Sequence, residues 1–436
     1  MLYLKLLLYF FSTLFSFKRS LKDTEQRQIE KFRKIFEHAR ANSPFYRELY
    51  HNSGLDDLVI KTKEDIEKVP VIDKNMMRKY TEEQLLTCSP NEKNLHSHYT
   101  SGSTGVPFKI VENYYEAFCS HVRVFVMLLR CGWRPWDSIF MYARYEQNDK
   151  FDIEKKLSVL GMIQKRLHLF ERKIVSIYTP PEKVWQEMIQ SKPDFIWATP
   201  GVLDILCTYM QKKDLHFKVK CILLIGSNIS DGQYRNYVNA FHATIISHYG
   251  LMEFPTIGYY ILPQYTCHLF SDFIYLEKRN TVQYSTVQYS TVQYSTVLIA
   301  TNLENFTMPF IRFNTNDAVE TLDDKSFLIK KIGKIYGRNN DSVTLKSGVQ
   351  LVHTQTYEMF MDFHECLQYK FVQYSNGDVA LRLNVAENAD KNMVKQKALE
   401  RWHRRFPNDE LKIEFTGIMD ISLKSGKFKT LEKLDV

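Results

Sequence analysis

The sequence predicts an α/β protein: a large multi-sheet N-terminal domain with parallel strands and flanking helices, followed by a small α+β C-terminal domain. Three observations predict it. Short apolar runs alternate with helical patterns through the middle of the chain. A turn of serine, threonine and glycine separates two strand-like segments between His98 and Val111. A polar stretch, Gly337-Arg338-Asn339-Asn340-Asp341, precedes about a hundred residues with an alternation of their own. At 436 residues the chain exceeds one ordinary core, and two domains are expected.

Composition narrows the classes. A hydrophobic share of 44% and a charged share of 25% are those of a globular chain. The net charge of +8 suits anionic ligands or a membrane surface, but no long Lys/Arg block appears, so nucleic acid is not a favoured partner. Cys88, Cys119, Cys131, Cys207, Cys221, Cys267 and Cys366 contain no Cys-x-x-Cys pair and read as reduced thiols of a cytoplasmic protein. Residues 1–24 begin with the apolar run Met1 to Phe17, followed by Lys18-Arg19. The run is short for a membrane span and carries no signal-peptide cleavage pattern. Two readings stay open: a helix docked on its own domain, or a segment lying in the membrane interface through residues 1–19.

Residues 25–337 form the expected large domain. Ile29, Phe32, Ile35 and Phe36 recur at helical spacing until Ser43-Pro44 breaks the pattern. Thr62 to Tyr80 reads as a helix-and-loop pair around Pro70, and Tyr114 to Cys131 as a long helix. Then come a strand at 195–198, a helix at 202–211, a strand at 220–225, a helix at 233–241 and a strand at 244–247. This alternation implies parallel strands, with ligands at the loops beyond their carboxyl ends, where Gly226-Ser227 and His248-Tyr249-Gly250 fall. Thr-Val-Gln-Tyr-Ser repeats in tandem at 281–295. A period of five reverses sheet face at each copy, so the repeats read as a surface connection feeding the strand at 297–301. Residues 338–436 form the expected small domain, with strands at 366–374, 379–385 and 413–415 and a helix at 390–406.

The glycine turn, Thr100-Ser101-Gly102-Ser103-Thr104-Gly105-Val106-Pro107, offers main-chain N–H groups and hydroxyls suited to an anion. It lacks the Gly-Lys-Ser/Thr ending of a P-loop. In order with it stand His38-Ala-Arg-Ala-Asn-Ser-Pro-Phe-Tyr-Arg47, Lys68-Val-Pro-Val-Ile-Asp-Lys74, Tyr249-Gly-Leu-Met-Glu253, His268-Leu-Phe-Ser-Asp272, Arg312-Phe-Asn-Thr-Asn-Asp317, Gly337-Arg338 and Ser425-Gly-Lys427. In this order the motifs resemble the adenylate-forming (AMP-binding) superfamily, in its phenylacetate–CoA ligase-like and CapK-like capsule-biosynthesis branch. The resemblance covers about residues 25 to 436.

The resemblance implies an ATP-dependent acid ligase that forms an acyl-adenylate and passes the acyl group to CoA, a carrier-protein thiol or a sugar. It further implies service in surface polysaccharide biosynthesis, in the cytoplasm or at the inner face of the membrane. Ser101, Gly102, Ser103, Thr104 and Gly105 would hold the leaving phosphates. Glu253 would bind Mg²⁺, Tyr249 and Gly250 would flank the adenine, Asp317 would take the ribose hydroxyls, and Arg338 would bridge ribose or phosphate. Lys427 would stabilise the transition state, and Asn340 would stand at the hinge of a mobile C-terminal domain. Departures from the family pattern are Asn340 at a usually acidic hinge, Ser227 for an expected glutamate and Asn316 for an expected glycine. Cys267 and His268 stand where some relatives bind a structural metal. The rival reading is a nucleotide-binding pseudoenzyme or a membrane-associated scaffold of a polysaccharide assembly system.

Overall fold

The apolar runs at 195–198 and 221–224 have no charged or hydroxyl interruptions because both faces of their sheet are covered. In the computed structural model the sheet runs Arg172–Ser176, Ile139–Ala143, Phe195–Ala198, Cys221–Leu224, Thr244–Tyr249, Gly258–Leu262, His268–Leu269 in spatial order. The strands up to Thr244–Tyr249 are parallel, and the last two add antiparallel. Residues 2–100, 108–143, 169–282, 294–322, 329, 331–338, 342–352, 356, 359–360, 363–419 and 430–434 are described. Ser101 to Gly105, Asn340 and Lys427 lie outside them.

A second sheet is an antiparallel meander of Ile274–Val282, Tyr294–Asn302, Phe313–Thr321 and Ile332–Arg338. Its first hairpin pairs Thr281 with Ser295 and Val282 with Tyr294. The ends of the pentapeptide tract are therefore strand rather than surface connection, a correction to the expectation. Threonine, valine and tyrosine suit a strand, and nine-residue partners extend into the repeats from both sides.

A two-stranded hairpin, Leu95–Tyr99 with Lys109–Asn113, carries the glycine turn. Its second strand runs directly into the helix Tyr114–Arg130, whose start is fixed by a capping box between Asn113 and Glu116. Glu116 also accepts from the backbone N–H groups of Phe306 and Thr307, tying hairpin and helix to the rest of the domain.

The chain start forms a helix, Leu2–Ser16, docked on Tyr114–Arg130. The Tyr9 hydroxyl donates to Glu304 at 2.6 Å while Arg123 donates to both. Phe17 packs edge-on against Phe270 beneath the Arg130 guanidinium. Arg19, just beyond this helix, is paired with Asp272. Leu7, Leu8, Phe11 and Phe15 remain exposed on one side. Among the described residues no helix is long and apolar enough to cross a membrane.

The C-terminal part has its own sheet, Lys412–Phe415, Val379–Val385, Cys366–Gln373 and Leu431–Lys433, covered by the helix Lys391–Arg405. Its core, with Trp402 stacked on Phe371, is separate from the larger one, and the division falls between Ile335 and Val343. The two parts meet where the helix Asp231–Phe241 approaches Cys366–Gln373. A side chain at Gly232 would lie 2.1 Å from the Cys366 carbonyl oxygen, so only glycine permits the contact. Beside it Asp204 accepts from Tyr237, Gln233 and Gln368.

Candidate functional site

The site is assembled at the carboxyl end of Thr244–Tyr249, where the parallel sheet meets the meander. The Tyr249 hydroxyl donates to Asp317 Oδ2 at 2.9 Å, and both residues are buried. Burial, with the Asp317 charge beside it, pushes the Tyr249 hydroxyl well above its ordinary value, so it remains a donor. Asp317 stands opposite Arg338 in the strand register, so Tyr249, Asp317 and the Arg338 backbone converge.

The expected glycine before Asp317 is Asn316, and the backbone shows why asparagine serves. Asn316 has φ of 59°, a left-handed conformation that asparagine tolerates better than most residues. The Thr315 hydroxyl donates to the Leu298 carbonyl and accepts from the Asp317 N–H, holding the turn.

After Tyr249 the chain folds tightly on itself. Leu251 and Phe254 exchange backbone hydrogen bonds, and the Ile257 N–H returns to the Tyr249 carbonyl. A Cβ at Gly250 would lie 2.3 Å from the Pro255 carbonyl oxygen, so glycine is required there. His248 is half-buried against this turn with Nε2 3.3 Å from Thr256 Oγ1, and desolvation of its ring pulls its pKa down to about 4, leaving it neutral.

Glu253 lies in this turn, only 2% exposed, with its Oε1 2.5 Å from Lys74 Nζ. Local structure carries Lys74 there. Ile72 bridges to Phe313, with its N–H on the Arg312 carbonyl and its carbonyl accepting from Asn314. Asp73 then caps the short helix Lys74–Met77 by accepting from the Met76 N–H. Lys74 closes the motif Lys68-Val-Pro-Val-Ile-Asp-Lys74, whose spacing gives Lys74 no partner. The motif ends on the residue that meets Glu253.

The hairpin bearing the glycine turn abuts the same turn, with His98 Nε2 3.3 Å from the Met252 carbonyl oxygen. Its two strands are closed at the tip by Thr100, whose N–H donates to the Phe108 carbonyl and whose hydroxyl accepts from the Phe108 N–H. Lys109 is held by Glu82 at 2.6 Å.

Magnesium requires oxygen ligands and commonly takes only one or two protein carboxylates, the rest being phosphate and water. Glu253 fits as one such ligand. It is a buried carboxylate whose partner among the described residues is a single ammonium, and it stands beside the hairpin that carries the glycine turn. Cys267 and His268 are engaged otherwise: the Cys267 thiol packs on Gly258, and the His268 ring stacks on Tyr259.

No protein-family profile matches the chain. The chain is similar to the phenylacetate–coenzyme A ligase of Pseudomonas putida, 23% identical over 375 residues, spanning 83% of this chain and 81% of that protein. The phenylacetate–coenzyme A ligase of Aromatoleum evansii is 24% identical over 362 residues, 78% of this chain and 76% of that protein. A crystal structure of 2-hydroxyisobutyryl-CoA ligase in its postadenylation state superposes with a TM-score of 0.71 at 18% identity, over 95% of this chain and 90% of that one. The chain has the adenylate-forming ligase fold. The same ligase in its thioesterification state superposes with a TM-score of 0.56. The sequence relatives fall in the superfamily whose motifs the chain resembles, and the capsule-biosynthesis branch is not singled out among them.

Proposed function

We propose that the chain is an ATP-dependent carboxylic acid ligase that forms an acyl-adenylate and transfers the acyl group to CoA. The observation that carries this reading is the Tyr249–Asp317 hydrogen bond, which joins two motifs 68 residues apart at one sheet end beside the glycine-turn hairpin. The names of the sequence relatives support CoA as the acceptor.

In the first half-reaction a carboxylate oxygen attacks the α-phosphorus of ATP, the α–β bridging P–O bond breaks, and pyrophosphate leaves. Asp317 accepts hydrogen bonds from the ribose hydroxyls, and the Tyr249 hydroxyl holds that carboxylate in position. Tyr249 and Gly250 flank the base, and Arg338 bridges ribose or phosphate. Ser101, Gly102, Ser103, Thr104 and Gly105 hold the departing phosphates through N–H and hydroxyl donors. Mg²⁺ held by Glu253 would neutralise charge on the phosphate oxygens. Lys427 brings a compact positive charge to the attacked phosphate. In the second half-reaction the CoA sulfur attacks the acyl carbonyl carbon and AMP leaves. Rotation of the small domain about Asn340 separates the two steps.

The finer placement, in surface polysaccharide biosynthesis in the cytoplasm or at the inner face of the membrane, rests on the motif resemblance to the capsule branch. Exposed Leu7, Leu8, Phe11 and Phe15 support a peripheral membrane contact.

The test is acid-dependent exchange of pyrophosphate into ATP across a panel of aryl, hydroxy and sugar acids. At least one acid is expected to support exchange, and Lys427→Ala to lower it by about 10²–10³-fold with ATP binding retained. ATP binding with no exchange for any acid would favour the pseudoenzyme reading instead.

A further inference from the structure

A cluster outside the nucleotide site suits a different metal. In Leu95–Tyr99, His96 and His98 are two residues apart, so both imidazoles project from one face of the hairpin. Glu112 stands directly opposite His96 in the register of the facing strand. The ligand atoms of these three side chains all lie within 4.8 Å of one another. Bonds of 2.0–2.1 Å at a tetrahedral zinc ion place ligand atoms about 3.3 Å apart, so small side-chain rotations close the gap.

Two further features favour a ligand. The Met252 carbonyl at His98 Nε2 can only accept, which puts the proton on Nε2 and leaves the Nδ1 lone pair available. Nδ1 lies 3.8 Å from Glu112 Oε1. A metal-bound histidine is ordinarily oriented in this way, donating its other N–H to a carbonyl. Glu112 is 8% exposed, and its side chain makes no hydrogen bond among the described residues. Burial pushes its carboxyl up, opposed by the charges of His96, His121 and Arg123. A buried carboxylate facing two imidazoles is the environment a divalent cation relieves.

We propose that His96, His98 and Glu112 bind one divalent transition metal ion of the zinc type, with its remaining coordination open to water. Two imidazoles and a carboxylate suit zinc and not magnesium, so this site is chemically distinct from Glu253. Bound there, the ion clamps the two hairpin strands together and, through His98 and Met252, fixes the hairpin against the turn that holds Glu253. Occupancy is thereby coupled to how the hairpin sits against the Glu253 turn, and only the functional consequence of that coupling rests on the ligase reading.

The experiment is titration of the chelator-stripped full chain with Co²⁺, followed by visible absorption, and with Zn²⁺ by calorimetry, without ATP or acid. One equivalent with the intense bands of four-coordinate Co²⁺ is expected. Changing a neighbour of a ligand typically costs about 10–100-fold in affinity, so His96→Ala and Glu112→Gln are expected to lose more than about 100-fold. Glu112→Gln keeps the shape of the buried side chain, so a folded variant without metal reports the ligand itself. His216→Ala, which changes a histidine beside Asp214, is expected to bind as the parent does. Absence of saturable binding, the spectrum of the hydrated ion, or equal binding by His96→Ala and Glu112→Gln would overturn the site. Because no substrate is present, failure of acid-dependent exchange leaves this result intact.

Discussion

Two buried glutamates in this molecule are each paired with a cation, and the pairs are built for different purposes. Glu277 is fully buried, and Arg312 grips it with Nε and Nη2, each 3.0 Å from a carboxylate oxygen. The third guanidinium nitrogen donates to the Glu67 and Val69 carbonyls, so the cation is fixed from every side. Glu253 meets one ammonium, and Lys74 is a quarter exposed on a short surface helix. The forked pair joins the meander to the N-terminal helices permanently. The single-ammonium pair, with a quarter-exposed lysine, suits the magnesium role proposed for Glu253. A buried carboxylate with a replaceable partner is what a magnesium ligand requires between turnovers.

The largest effect is expected at the fixed pair. Arg312→Ala strands Glu277 in the core, and breaking such a pair costs about 3–5 kcal/mol by denaturant unfolding. Burial already pushes the Glu277 carboxyl up to about 7 against the pull of Arg312. Removing Arg312 raises it further, so the loss should be greater at pH 8 than at pH 5. A loss under about 1 kcal/mol would show that the fork contributes little.

Asp204, where the two domains meet, extends the comparison to a carboxylate with no cationic partner among the described residues. Burial raises it to about 7, against hydrogen bonds from Tyr237, Gln233 and Gln368. Its folded value thus exceeds the unfolded value of about 4. The stabilisation is complete below that value and is lost as pH rises through about 7. Asp204→Asn is expected to raise stability at pH 8 by on the order of 1–3 kcal/mol and change it little near pH 4. Asparagine fits, because the Tyr237 hydroxyl can donate to the Pro200 carbonyl instead. Equal pH dependence in thermal melts of the two proteins would contradict the raised value.

At the replaceable pair, Lys74→Ala should cost about 1–3 kcal/mol without nucleotide, since Glu253 loses its partner. The same change should lower the Mg²⁺ concentration needed for half-maximal exchange, because the competing ammonium is gone. An increased magnesium requirement would show that Lys74 assists the ion. The smallest effect is expected from deleting residues 286–290, which lie between the strand ends Val282 and Tyr294. Shortening that connection by about half should stabilise the hairpin by at most about 0.6 kcal/mol, with exchange unchanged.

Much of this was legible in the sequence, for identifiable reasons. The strands at 195–198 and 221–224 announce themselves as apolar runs because both sheet faces are covered. Tyr249, Glu253 and Asp317 could be singled out because their motifs stand in a recognisable order. Asn316, a departure in sequence, becomes intelligible only through its φ of 59°. The partners were hidden. Lys74 reaches Glu253 through an isolated bridge between Ile72 and Phe313, and Gln368 reaches Asp204 across two domains. Contacts between residues so distant leave no periodicity to read. His96 and His98 stand two residues apart in the sequence, but only the strand register supplies Glu112.

The central claim is that the turn after Tyr249 holds nucleotide-bound magnesium through Glu253 while Asp317 holds the ribose. The most direct measurement is acid-dependent ATP–pyrophosphate exchange as a function of Mg²⁺ concentration, for the parent and for Glu253→Gln, with unfolding measured alongside. The account predicts that Glu253→Gln stays folded and exchanges about 10²-fold more slowly at a fixed, limiting Mg²⁺ concentration. It also predicts that much of the rate returns as Mg²⁺ is raised. Identical magnesium dependence in the two proteins would contradict it.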